Sequence, residues 1–121
     1  NHSAYLQAVA TPKHFDAYGG ATSPGRRSIT EVVVSWQDWH ETFLPAFFAV
    51  LAPPGAGAGA ASAMCSYNSL CVVDSYADPP CPGPSHGVPA CADGALLSGL
   101  LREQWKFDGY VIGDAEAIRF I

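Results

Sequence analysis

The chain reads DGALLSGLLREQWKFDGYVIGD from Asp93 to Asp114, and this stretch decides the fold class because a helical pattern passes into a buried strand. Four leucines between positions 96 and 101 lie at helical spacing, and Asp93 is placed to cap the first turn. The short apolar run Tyr110–Ile112 follows and leads to Asp114. The stretch therefore predicts a helix over residues 93–104, then a strand with a carboxylate at its C-terminal end.

The same alternation of strand and helix continues toward the N-terminus. Tyr5–Thr11 and Ala61–Tyr67 are short and mostly apolar, and each predicts a strand. Asp38–Leu51 carries large apolar side chains at spacings of four, four and three, which predicts a helix with Asp38 as N-cap and Glu41 completing a capping box. The order strand, helix, strand, helix, strand predicts an α/β fold with about three parallel strands and two intervening helices.

Three parallel strands cannot close a barrel, and they would leave two unpaired edges. We therefore expect the chain to be a segment of a larger domain. Its polar loops follow the C-terminal ends of the predicted strands, which is where α/β folds collect their chemistry.

Composition and charge limit the classes of partner. The chain has 121 residues, 49% of them hydrophobic and 14% charged, which is enough apolar material for a core. A net charge of −5 offers no basic surface for nucleic acid or an anionic membrane. Residues 42–73 lack charge, but Pro45, Pro53 and Pro54 interrupt them too often for one membrane-spanning helix. We expect neither a nucleic-acid nor a membrane partner.

The cysteines indicate the compartment. All four, at positions 65, 71, 81 and 91, fall within 27 residues, without a C-x-x-C pair and with His86 as the one nearby histidine. That spacing is a poor match to a zinc site and favours two disulfides, for which the sequence alone allows three connectivities. We therefore expect a secreted protein. Residues 68–89 are rich in Cys, Pro and Gly and are predicted to form a long loop.

Several polar residues could do chemistry, and each also has a structural interpretation. Asp114 could attack an anomeric carbon, bind a metal or cap the following helix. Lys13 and His14 could converge on a ligand, or be a solvated lysine beside a histidine that is hydrogen-bonded within the protein. Tyr67 could simply close the turn after its strand, and Met64 could fill the core.

Five segments taken together resemble family 3 glycoside hydrolases, most closely the β-xylosidase branch and then the β-glucosidases. In chain order the segments are KHF at 13–15, QDWHETFLPAF at 37–47, MCSYN at 64–68, GVPACAD at 87–93 and WKFDGYVIGD at 105–114. The sequence departs from the family pattern at Gly113, where serine is usual, and at Ala115, where glucosidases often have tryptophan and xylosidases cysteine.

The resemblance implies a fold and a set of site residues. Residues 1–121 would be part of the N-terminal catalytic domain, a (β/α)8 TIM-type barrel, with a loop insertion at about 69–86. Asp114 would be the nucleophile, and the sugar would be held by four residues: Lys13, His14, Met64 and Tyr67. The implied disulfides are Cys65–Cys91 and Cys71–Cys81, and no metal or organic cofactor is expected.

The implied function is hydrolysis of terminal non-reducing β-D-xylosyl or β-D-glucosyl residues from an oligosaccharide or aryl glycoside, with retention. Such an enzyme needs a second carboxyl group as general acid. Glu41, Glu103 and Glu116 are unsuitable by position. The resemblance implies that a C-terminal α/β domain supplies the acid and that the remaining barrel strands lie elsewhere in the full-length protein, so we expect the isolated chain to be inactive. The alternative is a truncated or degenerate fragment that at most binds sugar.

Overall fold

The computed structural model of the chain describes residues 5–18, 31–76, 81 and 87–121. Within these ranges the chain has five strands and two longer helical segments, which bears out the predicted α/β class. The strands are β1 (Glu31–Ser35), β2 (Ser62–Cys65), β3 (Ser69–Val73), β4 (Val88–Pro89) and β5 (Tyr110–Gly113).

Two longer helical segments separate the strands. The first, α1, has three consecutive parts: Trp36–Asp38, a π-helical stretch at Trp39–Phe43, and Leu44–Leu51. The second, α2, is a π-type helix over Ala95–Gln104. Short 3-10 segments at Ala90–Ala92 and Ala117–Phe120 complete the elements.

The strands form two small sheets. β2 and β5 pair in parallel, with Cys65 opposite Gly113, and Phe15 forms a parallel bridge to Cys65 on the other side of β2. In the second sheet β3 lies between β1, to which it is parallel, and the short antiparallel β4. The first sheet therefore orders the Phe15 segment, β2 and β5 side by side and in parallel.

The first predicted strand is wrong in position. Residues 5–11 form no strand, and Tyr5 and Leu6 are 83% and 67% exposed. Pairing with β2 starts only at Pro12, whose carbonyl oxygen accepts from the Met64 N–H at 3.1 Å. The segment that precedes β2, Pro53–Ala60, forms a turn and does not extend the strand. Among the described residues, residues 5–11 therefore have no strand beside them with which to pair.

The predicted loop over residues 68–89 is also only partly a loop. Ser69–Val73 forms β3, whose partner β1 was not predicted at all. The β-branched residues Val32–Val34 and Val72–Val73 favour strands, and the Cys, Pro and Gly around the second run obscured that preference. Residues 77–80 and 82–86 of the proposed insertion lie outside the described residues.

The start of α1 differs from the prediction by three residues. Ser35, not Asp38, is the N-cap, and its hydroxyl accepts from the Asp38 N–H at 3.0 Å. The Asp38 carboxylate instead accepts from the Tyr76 hydroxyl at 2.6 Å, and Glu41 accepts from the Gln37 side chain. For α2 the prediction was right, because Asp93 Oδ1 accepts from the N–H groups of Ala95 and Leu96.

The core is shared by the two helices and both sheets, with Val34 of β1 and Leu70 of β3 in the same buried cluster. Phe15 is fully buried, and its ring packs against those of Phe47 and Trp105 at centroid distances of 5.0 and 5.8 Å. Leu96 and Leu101 of α2 are fully buried as predicted. β5 is less buried than expected, with Tyr110 51% exposed, because its described partner lies on one side only.

Candidate active site

The C-terminal edge of the first sheet brings three loops together. The parallel pairing aligns Phe15, Cys65 and Gly113 across the sheet, so the residues next to them meet at one edge. The Asp114 N–H continues the pairing by donating to the Cys65 carbonyl oxygen at 3.3 Å. His14, Tyr67 and Asp114 therefore converge, although they are far apart in sequence.

His14 and Asp114 make the central contact of the site. His14 Nε2 lies 3.2 Å from Asp114 Oδ2, and the two side chains are 24% and 18% exposed. The other carboxylate oxygen, Oδ1, accepts from the Ala115 N–H at 2.7 Å. The carboxylate is thus held at both oxygens while it keeps access to solvent, as a group that reacts with an external molecule must.

Tyr67 completes a cluster around the carboxylate. Its hydroxyl donates to the Ala115 carbonyl oxygen, and it also has a hydrogen-bonding interaction with Asp114. Desolvation raises the pKa of Tyr67 above 10.0, and the negative charges of Asp114 and Glu116 raise it further. The phenol therefore stays protonated well above neutral pH, and its single O–H can donate either to the Ala115 carbonyl oxygen or to the Asp114 carboxylate.

This electrostatic coupling gives a direct test of the cluster. Replacing Asp114 with asparagine removes one negative charge, so we expect the pKa of Tyr67 to fall part of the way toward 10.0, with the desolvation effect remaining. Ultraviolet difference titration of the full-length protein and its Asp114→Asn and Tyr67→Phe variants would isolate this phenol. An unchanged Tyr67 titration in Asp114→Asn would contradict the coupling.

For two of the predicted sugar ligands, Lys13 and Met64, no side-chain hydrogen bond to the cluster is found among the described residues. Lys13 precedes His14 but is exposed, and its ammonium has no hydrogen bond or ion pair with any residue that the structure describes. Met64 lies in β2 opposite Ile112, and its backbone exchanges hydrogen bonds with Pro12 and Phe15 of the first loop. The proposed roles of both side chains in sugar binding stay predictions.

Two residues that the sequence analysis did not assign lie next to the cluster. The ring of Tyr18 packs edge-on against those of His14 and Tyr67, at centroid distances of 5.0 and 6.2 Å. Asp16 is fully buried beneath the same loop. Tyr18 could have been found as an aromatic residue in the loop after KHF, but the burial of an aspartate has no sequence signal.

The two disulfides have the pairing that the resemblance implied. Cys65–Cys91 joins the end of β2 to the 3-10 segment before α2, and Cys71–Cys81 joins β3 to the following loop. The first lies at the site, because the Cys65 carbonyl oxygen accepts from the Asp114 N–H. The second lies in the other sheet.

An open cavity of about 440 Å³ adjoins β5 and is lined by residues of β2, β5, α2 and the C-terminal 3-10 segment. Asp114 and the Cys65–Cys91 disulfide are part of its wall, which is otherwise mainly apolar and does not include His14 or Tyr67. Within the described ranges, no three His, Cys, Asp or Glu side chains are grouped to hold a metal ion. None of the helices described in this chain has the length and apolar character of a membrane span.

The Asp114 carboxylate, the His14 imidazole and the Tyr67 phenol thus lie together at the C-terminal ends of parallel strands, the edge where α/β folds place their active sites. Residues 2–121 match the family described as "Glycosyl hydrolase family 3 N terminal domain". The chain belongs to this family of glycoside hydrolases.

The chain is similar to plant and fungal β-xylosidases. It is 32% identical over 117 residues to beta-xylosidase/alpha-L-arabinofuranosidase 1 of Medicago sativa subsp. varia, covering 96% of this chain and 13% of that protein. It is 38% identical over 116 residues to a probable exo-1,4-beta-xylosidase of Neosartorya fischeri, covering 93% of this chain and 13% of that protein. The chain thus spans about an eighth of the length of these relatives.

Two solved structures resemble the fold. One is a family 3 exo-β-xylosidase in complex with a xylobiose aziridine activity-based probe, with a TM-score of 0.71 and 28% identity, covering 95% of this chain and 13% of that chain. The other is the β-glucosidase DesR from Streptomyces venezuelae in complex with D-glucose, with a TM-score of 0.65 and 33% identity, covering 90% of this chain and 11% of that chain.

Proposed function

We propose that the full-length protein containing this chain hydrolyses terminal non-reducing β-D-xylosyl residues of oligosaccharides, with β-D-glucosyl residues as the second candidate. The observation that carries the proposal is the 3.2 Å contact between His14 Nε2 and Asp114 Oδ2 at the C-terminal edge of the sheet, with Tyr67 beside it. The similarity to β-xylosidases favours xylose as the first substrate to test.

The mechanism is a double displacement at the anomeric carbon. An oxygen of the Asp114 carboxylate bonds to this carbon while the glycosidic C–O bond breaks, and the leaving oxygen takes a proton from a general acid. The same acid, now a base, removes a proton from water, whose oxygen attacks the anomeric carbon and releases Asp114. Two inversions give retention of configuration.

The residues around Asp114 have distinct parts in this mechanism. Ala115 N–H and Tyr67 orient the carboxylate, so that a free oxygen lone pair faces the sugar. His14 and the exposed Lys13 side chain donate hydrogen bonds to sugar hydroxyls, and Met64 lines the subsite. Neither a metal nor an organic cofactor has a role in these steps.

The rest of the protein supplies what this chain lacks. We propose that residues 1–121 are part of a (β/α)8 barrel, that further strands pair with the described edges of its sheets, and that a C-terminal α/β domain brings the general acid. Two disulfides are typical of an oxidising compartment, which supports secretion. Segment 69–86 would then be an insertion at the rim of the barrel.

Product stereochemistry in the full-length protein tests this function. We expect turnover of an aryl β-xyloside, with kcat/KM above that for the matching aryl β-glucoside, and proton NMR should show β-xylose as the first product. First formation of α-xylose would contradict the retaining mechanism. If the protein cleaves neither glycoside, the result favours the non-catalytic alternative.

A further inference from the structure

Asp16 is a buried carboxyl group that the proposed mechanism does not use. It follows His14 by two residues and is 0% exposed, which is rare for an aspartate. Its Oδ2 accepts from the Trp39 indole N–H of α1, and its carboxyl also accepts from the Ala17 N–H. Its Oδ1 has no hydrogen-bond partner among the described residues.

The backbone of Asp16 connects the same loop to the Tyr67 turn. Its carbonyl oxygen accepts from Ser66 Oγ at 3.1 Å and from Asn68 Nδ2 at 3.2 Å, the two residues on either side of Tyr67. Asp16 thus joins three elements: the loop of His14, the turn of Tyr67 and helix α1.

We propose that Asp16 is a positioning residue for glycoside hydrolysis, which holds the His14 loop against the Tyr67 turn and α1 so that both side chains stay aligned on Asp114. The inference rests on the proposed function. Asp16 itself is too deeply buried to touch a sugar, so it acts through His14 and Tyr67.

The surroundings of Asp16 favour its neutral form. Burial raises its pKa above the ordinary 3.8, and the hydrogen bonds from Trp39 and Ala17 only partly oppose this. When Asp16 is protonated, its Oδ1 can donate a hydrogen bond. A candidate acceptor is the buried Asn68 Oδ1, which also has no partner among the described residues and whose side chain already donates to the Asp16 carbonyl oxygen.

No described ionisable group on the packed elements compensates the charge of an ionised Asp16. Those on α1 and on the Asp16 loop have other partners: His14 contacts Asp114, Asp38 accepts from Tyr76, Glu41 accepts from Gln37, and His40 contacts the Trp36 carbonyl oxygen. On the turn, the Tyr67 hydroxyl donates to Ala115, while on the loop Lys13 is exposed and the Tyr18 ring packs against His14.

The direction of the pH effect follows from the raised pKa. The contribution of Asp16 to stability is complete below about pH 3.8 and is lost as the pH rises through its folded-state pKa. Above that pKa a buried, uncompensated anion would loosen the contacts that align His14 and Tyr67. Activity should therefore decline as the pH rises through the folded-state pKa of Asp16, in addition to any loss that comes from the general acid.

Two substitutions in the full-length protein separate positioning from packing. Asp16→Asn keeps the shape and an acceptor for Trp39 but cannot ionise, so kcat should stay within about threefold of the parent while the alkaline limb of the kcat profile moves to higher pH. Asp16→Ala should lower kcat by about 10- to 100-fold with a smaller change in KM. Asp108→Asn, at an exposed aspartate, is the matched control and should change neither.

The melting temperature provides a readout that does not depend on turnover. The difference between Asp16→Asn and the parent should grow in favour of the variant as the pH rises from about 4. Parent-like kcat in Asp16→Ala, or parent-like pH profiles of activity and melting in Asp16→Asn, would overturn the inference. If Asp16→Ala fails to fold, the Asp16→Asn profiles decide. If Asp114→Asn loses activity while the Asp16 variants behave like the parent, the proposed function stands and the Asp16 inference is wrong.

Discussion

Replacing Asp114 with asparagine in the full-length protein is expected to lower kcat/KM for an aryl β-xyloside by about 10⁴-fold or more, because an amide cannot form the glycosyl ester. The substitution preserves the surroundings, since the amide oxygen can still accept from the Ala115 N–H that now donates to Oδ1. The melting temperature should therefore stay close to that of the parent, and the loss should be chemical.

A neighbouring carboxylate provides the control for Asp114. Glu116 lies two residues further along, is 63% exposed and pairs with Arg119 at 3.2 Å. Such an exposed pair contributes little, so Glu116→Gln should keep kcat/KM within about threefold. Azide should enter the space vacated in Asp114→Ala and give the α-xylosyl azide. Equal losses in the Asp114 and Glu116 variants, without azide rescue, would contradict the assignment.

Apart from the loss of the Asp114 carboxylate, removal of the Cys65–Cys91 disulfide is expected to have the largest effect on stability and activity together. The two cysteines are 26 residues apart, and closing a loop of this length restricts the unfolded chain by about 3.5 kcal/mol. The bridge also anchors the end of β2, where the Cys65 carbonyl oxygen accepts from the Asp114 N–H. The double variant Cys65→Ala/Cys91→Ala should therefore lose kcat as well as stability.

The second disulfide is a matched control. Cys71 and Cys81 are 10 residues apart, for which the same relation gives about 2.7 kcal/mol, and their bridge joins β3 of the other sheet to the loop after it. Cys71→Ala/Cys81→Ala should lose comparable stability but keep kcat within about threefold at a temperature where both variants are folded. Chemical unfolding and steady-state kinetics measure the two quantities. Equal kcat values in the two double variants would refute a role of Cys65–Cys91 in aligning Asp114.

The part of the fold that local patterns determine could be predicted. Asp93 and the leucines of α2, and the apolar runs that became β2 and β5, each lie close together in the chain, so spacing alone identifies them. The pairing of β1 with β3 could not be predicted in this way. It joins Glu31 to Ser69, and whether two short Val-containing runs meet over that distance depends on the whole fold.

The candidate site shows the same division. The resemblance to a family pointed to His14, Tyr67 and Asp114, and the structure brings these three together. The burial of Asp16 was not predicted because aspartate is usually exposed. It becomes visible only in the folded chain, where Trp39 and Asn68 form hydrogen bonds with Asp16. Burial and long-range hydrogen bonds are properties of the assembled molecule rather than of a sequence window.

The most direct test of the central claim is to trap the glycosyl-enzyme. The full-length protein should be treated with 2-deoxy-2-fluoro-β-xylosyl fluoride. The fluorine at C2 slows both displacements, while the good fluoride leaving group at C1 keeps the first one fast, so the glycosyl-enzyme accumulates. Peptide mass spectrometry is then expected to find one fluorinated sugar esterified to Asp114, and none in Asp114→Asn. A label on another carboxylate, or turnover with no trapped ester, would contradict the account.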